Sequence, residues 1–578
     1  MVRENRIINY KFMNKVYGKY WDIALFLIGL LIFSVFIFKK CIYGFGNIDE
    51  SFYLTIPYRL CQGDKLFINE WHLSQMSSFL LYPFMKFFLI INGDTEGIII
   101  AFRWIYGIIQ IISSIVLFGF LRRSSRIGAI VSSLIFLVYA PFGIMALSYN
   151  SMGIIFLSLG LVLFTCSEKS VITIIAGIFY AFSVLCCPYL AVVYVFYIVC
   201  VLLNNYIERL NIKCNNILLP KRALLFSVGV VLITLVFLIF VFWNIKITDF
   251  FAALPNILND PEHPNIGISN KVVLYFYSIF FCNKYTPFII SSYGVVLLLG
   301  IIDQNEKRKS VYFVFYILLS LSHIISCVIF NAYINHLMLP LNFVALFCIL
   351  IYKNEKALPF FYNIWIPGMI YTVCINFSSN QNIYAISSAS TVALIGSILI
   401  ITITIKDSYK KFGSLILKKM IIFSVSLTII FLFCFEIYYR WNHVFWEDSI
   451  KTQKYLLMTG PEKGLLVSAE KKEKYNTILQ NDLENIDEST ESILFLSEST
   501  WLYLCGDWGM SSYSAWLSKV NDASILKLKS YYSLNEDKLP DVIFIEKEYE
   551  EYICFFNDNY GYSNIIYTDS GNIILQCP

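Results

Sequence analysis

Apolar residues come in long blocks from Trp21 to about Tyr439, each broken by a short polar or charged stretch. A helix needs about 20 mostly apolar residues to cross a hydrocarbon core of roughly 30 Å, so each block predicts a spanning helix. Thirteen are counted, at 22–41, 96–121, 126–146, 150–166, 170–187, 189–203, 222–243, 285–303, 310–330, 336–352, 357–377, 384–405 and 419–439. Pro188, following Cys186 and Cys187, marks either a hairpin turn or a kink inside one long helix.

Two segments depart from this pattern at length. The first runs from Cys41 to about Thr95 and holds "DESFYLTIPYRLCQG" and "MSSFLLYPFMKFFLIING". Phe52, Tyr53, Ile56 and Leu60 recur at helical spacing, which predicts two helices lying along an interface. The second is the last 140 or so residues. There "GLLVS", "SILFLS", "DVIFIE", "SNIIYT" and "NIILQC" read as strands, and "AEKKEKYNTILQNDLENI" as an amphipathic helix. The alternation predicts a small α/β domain. Near the middle, "ITDFFAALPNILNDPEHPNIGISNK" is expected to lay Phe250, Phe251 and Leu254 on the membrane and to turn Asp260, Glu262 and His263 to water.

Composition narrows the class. Of 578 residues 58% are hydrophobic and 15% charged, which excludes a soluble globule and a disordered chain. The loops assigned to the inside hold 23 Lys and Arg and those outside about eight, so the N-terminus is expected in the cytoplasm and the C-terminal domain outside it. The basic start followed by a full-length apolar block reads as a start-transfer anchor of a multi-pass cell-membrane protein, not a cleaved signal. Residues 440–578 carry 12 basic and 22 acidic side chains, so the net charge of +4 hides a basic membrane part and an acidic tail. Nothing in this pattern suggests nucleic acid. Most of the 15 Cys lie in apolar blocks; Cys505, Cys554 and Cys577 do not, and leave room for one disulfide. No CxxC or His/Cys cluster is apparent.

Candidate chemistry concentrates after the first block, where Asp49 and Glu50 stand together. Taken alone they read as a helix N-cap and its neighbour, favoured by the positive helix end. Arg103, inside the second block, is an ionisable residue at membrane depth and so a functional candidate. Lys271, Lys284 and His336 stand at outer block ends, where snorkelling accounts for them, although His336 is kept as a candidate substrate contact. His323 is expected to be a hydrogen-bonded core histidine. "INFSSNQNIY" offers Asn376, Ser378, Ser379 and Asn380 at an outer turn. Asp260 and Glu262 have the spacing to hold a divalent cation, but hard metals want six or more oxygens and no metal is expected.

The stretch "DESFYLTIPYRLCQGDKLFINEWHLSQMSSFLLYP" resembles the first external loop of GT-C glycosyltransferases that use polyprenyl-phosphate sugars, including protein mannosyltransferases and aminoarabinose transferases. Asp49, Glu50, Tyr53, Arg59, Gly63, Asp64, Phe67, Glu70 and Trp71 follow that family's order; His72 stands where many members have His-Pro-Pro, here without the prolines. The Ser378–Asn380 turn is similar to one in bacterial members. "GDWGMSSYSAW" does not match the order of the Trp-rich motif of oligosaccharyltransferase catalytic subunits.

The resemblance implies a polytopic α-helical GT-C membrane domain over 1–440 and an extracytoplasmic α/β domain over 441–578. It implies an inverting transferase that moves a sugar from a polyprenyl-phosphate donor to an envelope glycan, glycolipid or protein. Asp49 would be the base and Glu50 its helper. Arg59, Lys65, His72, Arg103, His336, Asn376, Ser379 and Asn380 would contact donor or acceptor, without a required cofactor. The rival readings are a transporter or flippase of envelope lipids and a non-catalytic lipid-binding module.

Overall fold

The computed structural model describes residues 2–46, 48–209, 219–259, 267–330, 337–379, 381, 383–444, 447–487, 489–517, 519–568 and 570–577. The protein is mostly helical, with a small sheet domain at its C-terminal end. Among the described residues nine helices are long and apolar enough to cross a membrane, from Tyr20–Lys40 to Leu415–Asn442.

Small residues set the tightest packing. A Cβ on Gly177 would overlap the Phe226 carbonyl, and one on Gly229 the Ile174 carbonyl, so the helices Ser170–Cys186 and Pro220–Phe242 meet backbone to backbone. Such close approach is how helices associate when burial from water supplies no drive between them. Charged clamps fix the first two long helices at both ends. Arg122 holds the buried Asp22, and Arg103 reaches back to the carbonyls of Cys41, Tyr43 and Gly44.

Three expectations are corrected, and one open alternative is decided. The block 126–146 is helical only over Arg126–Val138, because the chain turns extended at Tyr139 and reaches Pro141. Thirteen residues rise only about 20 Å; the chain continues as irregular backbone with Phe142 at φ 54°. The block 336–352 is described as the helix Pro340–Tyr352. Pro188 marks a hairpin: Tyr180 donates to the Leu190 carbonyl at 2.7 Å and its ring meets Tyr194 at 6.1 Å, so the second helix returns along the first. The helix Asp49–Cys61, expected on an interface, is enclosed, with ten of the eleven positions from Glu50 to Leu60 buried, Tyr53 being the exception. A helix at Ile268–Phe280 had no counterpart in the sequence reading.

The C-terminal domain holds a five-stranded mixed sheet in the order Gly509–Met510, Ser492–Leu496, Val542–Ile545, Ile573–Gln576, Asn564–Tyr567. The first three strands are parallel and the last two pair antiparallel. Four of the five expected strands are in it. The fifth, Leu466–Val467, pairs instead with Tyr455–Leu456, while Leu466 also bridges to Tyr43 and ties down the end of the first helix. The expected helix at 469–486 is α-helical over Ala469–Thr477 and then changes pitch. None of Cys505, Cys554 and Cys577 is in a disulfide, so the bridge for which they leave room is not formed.

Candidate functional site

A cavity of about 450 Å³ lies between the helix Asp49–Cys61, the irregular segment after Val138, the Pro188 hairpin and the turn after Ser378. That volume is in the range of sites for small ligands. Irregular backbone amid apolar helices is tolerated where it lines a cavity, and Phe142 and Ile144 do so here. Asp49, Tyr53, His72, Asn150, Tyr189, Ser379 and Gln381 supply polar groups to the wall. Leu73, Pro188, Ser378 and Gln381 are exposed and mark the mouth. Trp516, from the C-terminal domain, closes one side and packs on Phe52 at 6.3 Å.

Asp49 is the first residue of its helix. The N-cap is Ile48, with no side-chain bond, so the capping role expected for Asp49 is not found. Its carboxyl is subject to opposite effects: the positive helix end favours the charged form, and burial opposes it. Burial wins and raises the carboxyl above its ordinary range. Tyr53, one turn on and therefore on the same face, has its phenol pushed well up by burial and then by the Asp49 charge. Its ring meets Tyr149 at 5.6 Å. His72 Nδ1 accepts from the Ser74 amide at 3.1 Å, which puts the neutral ring's proton on Nε2. The ring stands edge-on to Phe52 at 4.8 Å.

Glu50, adjacent to Asp49, points elsewhere. It takes a two-point grip from Arg103, Nε to Oε1 at 2.5 Å and Nη2 to Oε2 at 2.6 Å, and both residues are buried. Arg59 is engaged in the same way: Nε donates to Asp64 at 2.8 Å, Nη1 to Glu70 at 2.8 Å and Nη2 to the Ser512 carbonyl at 3.1 Å. Lys538 adds a bond to Asp64 at 2.5 Å.

These placements correct the expected substrate contacts. Arg59 and Arg103 do not line the cavity, because carboxylates and carbonyls within the fold occupy their guanidinium groups. Lys65 is exposed and also away from it. No Lys or Arg stands among the described lining residues. Asn376 is buried and donates to the Lys271 carbonyl at 3.0 Å, while Lys271 Nζ donates to the Ser379 carbonyl at 2.8 Å. That lysine therefore braces the turn and does not snorkel. Lys284 lies over the Tyr285 and Phe330 rings. His336, Asn380, Asp260, Glu262 and His263 lie outside the described residues.

The C-terminal domain is sewn to the loop that carries Asp49. Thr500 Oγ1 donates to the Ile48 carbonyl at 2.8 Å, Tyr58 to Gly506 O at 2.9 Å, and the Trp71 amide to Tyr513 O at 2.8 Å. Sequence reasoning missed Trp516, Tyr149, Asn150, Tyr189 and Gln381. The last four stand at helix ends beside breaks in the apolar pattern, a usable signal; Trp516 has none. The sequence reading also found no His/Cys cluster, yet Cys282, His323 and Cys327 come together. His323 Nδ1 has no hydrogen-bond partner, contrary to the expected satisfied core histidine.

No protein-family model matches the chain, and no curated protein matches it.

Proposed function

We propose that the protein is an inverting glycosyltransferase of the cell membrane that takes a sugar from a polyprenyl-phosphate carrier and passes it to an envelope acceptor at the outer face. The observation that carries this reading is Asp49: a carboxylate at the wall of a ligand-sized cavity, with burial raising its pKa and no hydrogen bond or ion pair to a described residue. That is the state a general base needs. As an acceptor hydroxyl attacks the anomeric carbon, its proton passes to the Asp49 carboxylate, the carbon–oxygen bond to phosphate breaks, and the lipid phosphate departs. Asn150, Gln381, Ser379 and the His72 Nε2–H are placed to hold sugar hydroxyls or phosphate oxygens.

The nine long helices and four of the shorter apolar ones, Arg126–Val138, Ser170–Cys186, Thr286–Ile302 and Pro340–Tyr352, make thirteen crossings in this reading. The N-terminus is then cytoplasmic and the sheet domain extracytoplasmic. The lack of Lys or Arg in the described lining favours a second reading, a lipid-binding module without catalysis. Membranes holding the native chain or Asp49→Asn at matched expression, supplied with radiolabelled polyprenyl-phosphate hexoses, separate the two. Transfer by the native chain that falls in the variant while lipid binding persists supports the transferase. Binding without transfer by either supports the module.

A further inference from the structure

Three atoms that soft metals favour gather at the turn between the helices Ile268–Phe280 and Thr286–Ile302, against the end of Glu306–Ile329. Cys282 lies in the turn, while His323 and Cys327 stand four residues apart on one face of the last helix. Their donor atoms all lie within 4.8 Å of one another. Tetrahedral zinc with bonds of about 2.0–2.3 Å sets its ligand atoms roughly 3.3–3.8 Å apart, so a small closure suffices.

The surroundings call for a ligand. His323 is 2% exposed and its Nδ1 has no hydrogen-bond partner. A buried nitrogen left in that state has lost its hydration without a replacement, a penalty that a bound ion relieves. Cys327 is equally buried, and neither thiol is in a disulfide. Polar contacts tie the turn that carries Cys282 to the helix that carries His323 and Cys327, as outer contacts do around protein-bound metals. Cys282 Sγ is 3.0 Å from Thr286 Oγ1, Asn283 Nδ2 donates to Ser326 Oγ at 3.3 Å, and Ser326 Oγ donates to the His323 carbonyl at 2.8 Å.

We infer that Cys282, His323 and Cys327 bind one zinc ion, with the fourth position beside the Thr286 hydroxyl. Sulfur and imidazole donors select zinc or copper(I) over magnesium or calcium. Two thiolates cancel the zinc charge, whereas copper(I) leaves a net negative charge in a buried site, which is costly. Loading releases one proton from each thiol and needs no oxidant. The ion clamps the turn to the helix and takes no part in the sugar chemistry.

The test uses the full chain in detergent, loaded with zinc and then freed of loose metal. Elemental analysis is expected to find close to one zinc per chain. Cys327→Ser and His323→Ala are expected to lower it at least tenfold, while Cys348→Ser, at a buried cysteine on another helix, keeps it. A readout on the native chain covers failure of the variants to fold. Stripping zinc exposes Cys282 and Cys327 to a thiol reagent, and added zinc protects them again. Less than one zinc per ten chains, an unchanged content in Cys327→Ser, or a Cys282–Cys327 disulfide in freshly purified protein overturns the inference.

Discussion

Asp49 and Glu50 are neighbours in sequence and opposites in circumstance. Successive residues of a helix point about 100° apart, so one turns into the cavity and the other into the layer of ion pairs beneath it. Glu50 is held at two points by a guanidinium that also spans three carbonyls; Asp49 has no such grip among the described residues, and burial outweighs the helix end at its carboxyl. In a dry interior, a carboxylate whose bonds are all made is a fastener. One left with an unmet demand is available to a ligand.

Substitutions at the two residues should therefore fail in different ways. Asp49→Asn is expected to cost about 10²–10⁴ in transfer rate with folding intact, while Glu50→Gln should lower the yield of folded protein before it lowers the rate per folded molecule. The comparison breaks if the two variants lose rate alike at equal yield. Arg103→Met leaves Glu50 buried without its partner and should cost about 3–5 kcal/mol of stability, read as loss of monodisperse protein in detergent. Adding Glu50→Leu should recover part of that loss, because the stranded charge is gone, while the carbonyls of Cys41, Tyr43 and Gly44 still lack the Arg103 donor.

Trp516→Ala removes a wall of the cavity and leaves the ion pairs alone, so it should raise KM roughly tenfold, about 1.4 kcal/mol, with little change in kcat. The pH dependence is subtler. A raised folded pKa at Asp49 means that its charge opposes folding: stability is highest in acid and falls as pH rises through that pKa. Asp49→Asn should therefore melt about 1 °C above the native chain at neutral pH and level with it in acid. Transfer by the native chain should fall on acidification from a higher pH than an ordinary carboxylate would give. Glu462 sharpens the contrast at the small end of the scale. It is fully buried, neither oxygen has a hydrogen bond, and burial, then the charge of Glu50, pushes its pKa well up. It should already be neutral, so Glu462→Gln should change neither rate nor melting temperature.

The apolar blocks carried most of the helices into view, since one long apolar run admits few other structures. Asp49 was readable for a similar reason: a charge just past a block stands out. The roles of Arg59 and Arg103 were not readable, because a buried cation that serves a substrate and one that serves the fold look alike until the partner is known. Glu70 and Glu50 are those partners, and only the folded chain brings them within 2.8 Å. The pairing of Cys282 with His323 was hidden in the same way, although His323 and Cys327, four apart on a helical pattern, were half of the signal. Pro141 and Pro188 announced breaks, but not that both would edge one cavity.

The seat of Trp516 also sets an order in time. Asp49 leaves the ribosome hundreds of residues before the side chain that walls its cavity, which at about 5–20 residues per second is an interval of tens of seconds. During that interval the loop bearing Asp49 lacks its partners Thr500, Gly506 and Tyr513. The half-made protein thus has the Asp49 carboxylate but no finished chamber, and the cavity is walled only late in synthesis.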